Sequence, residues 1–255
     1  MIDFQELKDF LDQKADQFQT PEFIDKDPLQ IPHRFSLLQD IEIAGFLTAS
    51  IAWGNRTAIL GSANRMMALM GESPYDFVMN FRKNDLRSLE GKAVHRTFSA
   101  LDFEQFLLNL QRLYKTSESL EAYFTPLEGE SDLYHGLERF RTAFILDFSH
   151  RSSKHVSSTY KNSAAKRLMM YLRWMVRSNR KGVDFGLWTQ IDPAKLSIPL
   201  DVHTANISRK LGLLERRQND WKSVKELDLT LRKMDPVDPA KYDFALFGLG
   251  VTKEI

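Results

Sequence analysis

Residues 163–212 read S-A-A-K-R-L-M-M-Y-L-R-W-M-V-R-S-N-R-K-G-V-D-F-G-L-W-T-Q-I-D-P-A-K-L-S-I-P-L-D-V-H-T-A-N-I-S-R-K-L-G. The first third repeats with a helical period. Ala165, Leu168, Met169, Leu172, Met175 and Val176 share one face, as an amphipathic helix requires. Asn162 or Ser163 supplies an N-cap side chain. At about 100° per residue, Lys166, Arg173, Arg177 and Arg180 fall in a separate stripe. A loop follows, then Pro199-Leu200-Asp201 opens a second helix over Val202–Leu211, which Gly212 ends. Asp201 is placed as that helix's N-cap.

Two readings are open for Lys166. It is a solvated lysine on a basic face, or it is a nucleophile. A lysine nucleophile needs the neutral amine, which the positive end of a helix and neighbouring cations both favour over the ammonium.

The segment I-P-L-D-V-H-T-A-N-I-S-R-K-L-G-L resembles a signature of the helix-hairpin-helix DNA glycosylase superfamily. There a proline, an apolar residue and the catalytic aspartate open a helix that ends in a similar R-x-L-G-L. Asp201 falls on that aspartate. The stretch from Lys166 to Asp201 is also similar to archaeal 8-oxoguanine DNA glycosylase, and Lys166 falls on its catalytic lysine. The similarity covers about 40–57 and 163–252. The whole chain further resembles an uncharacterised bacterial family with the same arrangement. The superfamily carries a glycine hairpin of the type L-P-G-V-G before its lysine, whose amides grip a phosphate. Here the stretch is H-R-S-S-K-H-V-S-S-T-Y-K-N-S, without glycine. Either Ser152, Ser153, Ser157, Ser158 and Thr159, with Lys154 and Lys161, contact phosphate in its place, or the segment is a polar surface loop.

Charge is distributed unevenly. Arg139 to Lys181 holds eleven Lys or Arg and one acid, Asp147, so it carries +10 of a total of +1 and leaves −9 elsewhere. Such a segment suits a polyanion; a solvated pair of basic helices is the plain alternative. The chain has no cysteine, which excludes disulfides and a four-cysteine iron–sulfur cluster and fits a reducing compartment. Asp3, Glu6, Lys8 and Asp9 interrupt any signal-peptide core. No apolar run reaches membrane-spanning length. The expected location is the bacterial cytoplasm. Phosphate-loop, dinucleotide, metalloprotease and nucleophile-elbow motifs are missing. The six histidines have no metal-ligand spacing, so no cofactor and no metal are expected.

Elsewhere the pattern predicts helices over 1–20, 40–53, 58–70, 103–115, 133–148, 221–234 and 242–249, with a short turn at 184–188 and another at Asp192-Pro193. Residues 21–36 and 117–132 read as loops, and 71–100 is less regular. His95-Arg96 reads as structural, and His203 points away from Asp201 in strict helical geometry. The polar turn Trp53-Gly54-Asn55-Arg56 stands where the superfamily has a loop that probes the DNA stack. The plain alternative is a helix–helix turn with Gly54 at the cap.

The expected fold is all-α, with two glycosylase-like helical lobes and a cleft between them. One lobe is built from 40–182 and carries the basic helix; the other joins 1–39 to 183–255. The expected function is excision of a damaged base from duplex DNA, with possible abasic-site lyase activity. Lys166 is the nucleophile and Asp201 its carboxylate. Phosphate contacts are expected from Lys154, Lys161, Arg167, Arg173, Arg177, Arg180, Lys181 and Arg209, with Asn55 and Arg56 probing the duplex. Arg173 and Arg177 lead this set because they share the Lys166 face. Two alternatives stand beside it: a nucleic-acid-binding protein that kept the fold without the chemistry, and a helical module that binds an acidic protein.

Overall fold

A computed structural model describes residues 3–147 and 149–254. The protein is predominantly helical. Among the described residues no helix is long and apolar enough to cross a membrane. The chain divides into two compact units. The first comprises Met1–Asp25, Pro126–His135 and Ser158–Ile255; the second comprises Lys26–Thr125 and Gly136–Ser157.

The first unit contains α1 (Phe4–Phe18), α8 (Lys166–Val176), α9 (Val202–Lys210), α10 (Trp221–Met234) and α11 (Tyr242–Thr252). Met1 and Ile2, the start of the helix expected over 1–20, lie outside the described residues. Asp3 caps α1 by accepting from the Gln5 and Glu6 amides. Helix α11 is the hub of the unit. Its Gly248 lies so close to Phe18 of α1 that a Cβ would stand 2.3 Å from the ring. Its Gly250 meets His203 of α9 in the same way, at 2.8 Å from Cβ. The F-G-L-G-V pattern thus lets α1 and α9 pack against α11 at short range, which fixes the start of α9 relative to α11. His203 also sets its ring edge-on to Phe247, 6.1 Å away. The turn expected at 184–188 is not helical, whereas Pro193–Lys195 forms a single 3-10 turn.

Asp228 of α10 is buried, and its carboxylate accepts from the Ser197 hydroxyl at 2.5 Å. Burial pushes it up to about 7, against the pull of Ser197 and Arg232. A raised carboxylate stabilises the fold fully below its unfolded value, and that stability is lost as pH rises through the folded one. Asp228→Asn carries no such proton. Between pH 5 and pH 8 the stability gap should therefore move in the variant's favour by about 2–3 kcal/mol. Urea denaturation at the two pH values reads this; a constant gap would show Asp228 ionised throughout.

The second unit holds α2 (Leu38–Ser50), α3 (Arg56–Leu69), α4 (Pro74–Asn80), a hairpin of β1 (Ala93–His95) and β2 (Phe98–Ser99), α5 (Ala100–Tyr114), α6 (Glu121–Phe124) and α7 (Tyr134–Phe144) from Gly136 onward. The hairpin interrupts the stretch expected to be irregular, and α6 occupies part of an expected loop. Helix α7 stops at Phe144; Phe148, the expected end, lies outside the described residues. From Ile41 to Ser50 every residue of α2 is buried, in line with its apolar sequence. Phe46 stacks on Phe106 and meets Phe140 and Phe144 edge-on. Its one interior charge, Glu42, accepts from the Tyr114 hydroxyl at 2.7 Å and the Leu120 amide at 3.1 Å.

The expected division at residue 182 is corrected. Helix α8 groups with Met1–Asp25, Pro126–His135 and the rest of Ser158–Ile255, not with Lys26–Thr125 and Gly136–Ser157. Its arginines bind acids on those terminal segments, as the next section describes.

Candidate active site

Lys166 is the first residue of α8 and is half-buried. The cap differs from expectation. Ala165 precedes the helix in the left-handed region at φ 47°, with no side chain bonding to the helix. Ser163 accepts from the Ala165 amide instead, at 3.2 Å, and Asn162 donates to Asp220 at 2.9 Å. Asn162 is itself left-handed at φ 61°. Ala165, immediately before Lys166, thus holds a conformation that costs an L-residue about 1–2 kcal/mol, whereas asparagine adopts it readily.

Asp201 caps α9 as the sequence predicts, with its carboxylate accepting from the Thr204 amide at 2.8 Å. The cap fixes one carboxylate oxygen at the head of the helix. Asp201 is half-buried, and Thr204 beneath it is fully buried.

Asp243, in the first turn of α11, is buried and pairs with Arg173. Burial pushes its carboxyl up to about 6. The charge of Arg173 opposes that rise, the charge of Asp201 adds to it, and the charge of Lys166 opposes it. Lys166 and Asp201, from opposite ends of the signature stretch, therefore both act on one buried carboxyl. Asp243 was not a candidate from sequence, because Y-D-F-A-L-F reads as an apolar core helix.

The basic stripe of α8 is corrected at Arg173 and Arg177. Every residue from Leu168 to Val176 is buried, and so is Arg177. Arg173 is 3% exposed and Arg177 is 4%. The guanidinium of Arg173 pairs with Asp243 and lies 3.3 Å from Asp184. Arg177 donates to Asp184 at 2.6 Å, to both Asp238 oxygens at 2.7 and 2.8 Å, and to Gln19 at 3.3 Å. Both guanidiniums lie over the Phe244 ring, at 4.4 and 5.3 Å. Burial opposes the charge on Arg177, but Asp238 and Asp184 outweigh it and hold the group above its ordinary value. Neither arginine is presented to a phosphate.

Other expected contacts divide between exposed and engaged. Lys154, Lys161 and Arg180 are exposed. Lys181 pairs with Asp16. Arg167 is half-buried, and burial pulls its guanidinium down to about 10. Arg209 donates to the carbonyls of Arg216 and Arg217 at 2.9 and 3.0 Å and to Asn219 at 2.7 Å. It holds the loop after α9. Of the hydroxyls, Ser152, Ser158 and Thr159 are buried; Thr159 donates to the Tyr134 carbonyl at 2.8 Å. Those three are structural in place, which corrects their proposed phosphate role, whereas Ser153 and Ser157 are half-buried.

In the second unit Asn55 is exposed and caps α3 through the Ala58 amide at 3.2 Å. Arg56 begins that helix and is half-buried. Trp53 lies between two histidines, edge-on to His95 at 5.1 Å and stacked on His155 at 5.8 Å. His95 is buried and bonds Ser62 and the Trp53 carbonyl, both at 3.1 Å. The Trp53-Gly54-Asn55-Arg56 turn is thus anchored by its tryptophan.

A family model described as a protein of unknown function, DUF2400, matches residues 27–252. The chain belongs to that family. No curated protein and no solved structure matches it.

Proposed function

We propose that this DUF2400 chain is a DNA base-excision glycosylase with abasic-site lyase activity. The observation that carries the reading is the placement of the two signature residues at helix starts: Lys166 opens α8, and Asp201 caps α9 through the Thr204 amide at 2.8 Å. The resemblance of P-L-D-V-H-T to the glycosylase signature supports it, and so does the left-handed Ala165 before Lys166, since backbone strain concentrates at functional sites.

In this reading a target nucleotide leaves the stack before its glycosidic bond is reached. The Nζ of Lys166 attacks C1′. The C1′–N bond breaks, and its electron pair departs with the base. Asp201 stabilises the positive charge that develops on the sugar and helps remove a proton from the attacking amine. Ring opening, with a proton going to O4′, gives a C1′ iminium; β-elimination then removes a C2′ proton and breaks the C3′–O bond, whose electron pair leaves with the phosphate. Arg173 and Arg177 act from beneath. They hold α8 on Asp184, Asp238 and Asp243 and so fix where Lys166 begins. Phosphate contacts fall to the exposed Lys154, Lys161 and Arg180.

Borohydride reduces such an iminium to a stable amine. Incubated with abasic or 8-oxoguanine duplexes and borohydride, the protein should yield a covalent DNA adduct on a denaturing gel. Salt-dependent DNA binding without any adduct would replace this reading with that of a non-catalytic nucleic-acid-binding protein. Absence of DNA binding would favour a protein-interaction module.

A further inference from the structure

Just ahead of Lys166 the chain presents a rigid aromatic surface. Tyr160 is 59% exposed. Its hydroxyl shares a hydrogen bond with His135 Nδ1 at 2.8 Å, and its ring lies 5.3 Å from that of Tyr134. Tyr134 in turn packs on the buried Trp221 at 5.2 Å. The backbone around Tyr160 is fixed on both sides. Thr159 is tied to the Tyr134 carbonyl at 2.8 Å. Asn162 accepts from the Trp221 amide at 3.1 Å and donates to Asp220, which Arg216 also holds at 2.5 and 2.8 Å. The Tyr160 ring thus stands in water on a fixed base, with its hydroxyl already engaged. Lys161, the next residue, is exposed.

We propose that Tyr160, flanked by His135, is a stacking platform for an unpaired nucleobase, with Lys161 on the adjoining phosphate. Aromatic faces bind any base because every base has a π-face, and a neighbouring cation follows the backbone. The platform stands in the segment where glycosylase-like chains have a glycine hairpin, so this inference rests on the nucleic-acid reading above. It changes the grip from backbone amides on phosphate to a ring on a base.

The test measures binding of fluorescent oligo(dT) single strands over a salt series. Tyr160→Ala should weaken binding about 5- to 100-fold. The salt slope should stay that of the parent, because stacking releases no counterion. Tyr160→Phe should bind within about threefold of the parent, since it keeps the ring. Tyr160→Leu, which keeps apolar bulk but no π-face, should fall with the alanine variant. Lys161→Ala should lower the slope by about 0.7, the value for one phosphate contact on a single strand. Equal melting temperatures check that the loop survives in each variant. Parent-like affinity in Tyr160→Leu and Tyr160→Ala would overturn the platform, as would a parent that binds no single strand. Borohydride trapping at Lys166 is scored separately, so an adduct with Tyr160-independent binding would sink the platform and leave the glycosylase reading standing.

Discussion

Lys166→Ala should give no borohydride-trapped adduct on abasic DNA, while its DNA affinity falls by less than about tenfold, the loss expected of one contact. The distinction lies in what each interaction requires. Electrostatic binding sums over many cations, and Lys154, Lys161 and Arg180 remain exposed in the variant. Iminium formation requires one amine at one place, so its removal is all-or-none. An adduct that persists in Lys166→Ala would put the nucleophile on another lysine. Asp201→Asn sharpens the test. Asparagine caps a helix as well as aspartate does, and its carbonyl can still accept from the Thr204 amide that Asp201 now holds. The fold should therefore melt within a few tenths of a kcal/mol of the parent. Turnover should nevertheless drop by about 10²–10⁴, the range for loss of a positioned acid–base group. Asp201→Ala should lose the cap as well, at a cost of about 0.5–2 kcal/mol. If Asp201 were only a cap, Asp201→Asn would keep full activity and only Asp201→Ala would be affected.

The sequence made the ends of the signature legible and concealed its middle. Asp201 as a cap is an interaction over three residues, so local spacing suffices to find it. The period of α8 was equally plain. Its faces were not, because a helical wheel places arginine in water by default. The partners that draw Arg173 and Arg177 inward lie in a loop, Asp184, in a double-proline turn, Asp238, and in an apolar helix, Asp243. The excess of acid outside the basic segment hinted at such matching, but charge totals do not say which acid meets which base. The left-handed Ala165 was equally hidden, since alanine rarely adopts that conformation. The polar serine segment misled for a related reason. Hydroxyls such as that of Thr159 serve buried carbonyls as readily as they serve a ligand.

Arg173→Ala should destabilise the protein by about 3–5 kcal/mol, the cost of stranding a buried charge. The side chain lies between two interior carboxylates and over an aromatic ring. Removing it leaves Asp243 without its cation and takes one of two arginines from Asp184, while the Phe244 face loses its cover. Against a typical total of about 5–15 kcal/mol, such a loss shifts the urea midpoint far to the left. Trp174 and Trp188, both buried in the same unit, report the transition by fluorescence. Arg173→Lys should recover only part of it, because one ammonium cannot bridge two carboxylates as a planar fork does. The more telling variant is Arg173→Met combined with Asp243→Leu. A buried pair replaced by apolar groups of similar size is often neutral, and Asp184 keeps Arg177 at 2.6 Å. The double variant should regain most of the stability lost in Arg173→Ala. It would also remove a buried carboxyl whose charge is felt by Lys166 and Asp201, so a folded but inactive double variant separates the scaffold role of this ion network from its influence on the site. A phosphate-binding Arg173 would behave in the opposite way: Arg173→Ala would melt like the parent and would lose one unit of salt slope on DNA.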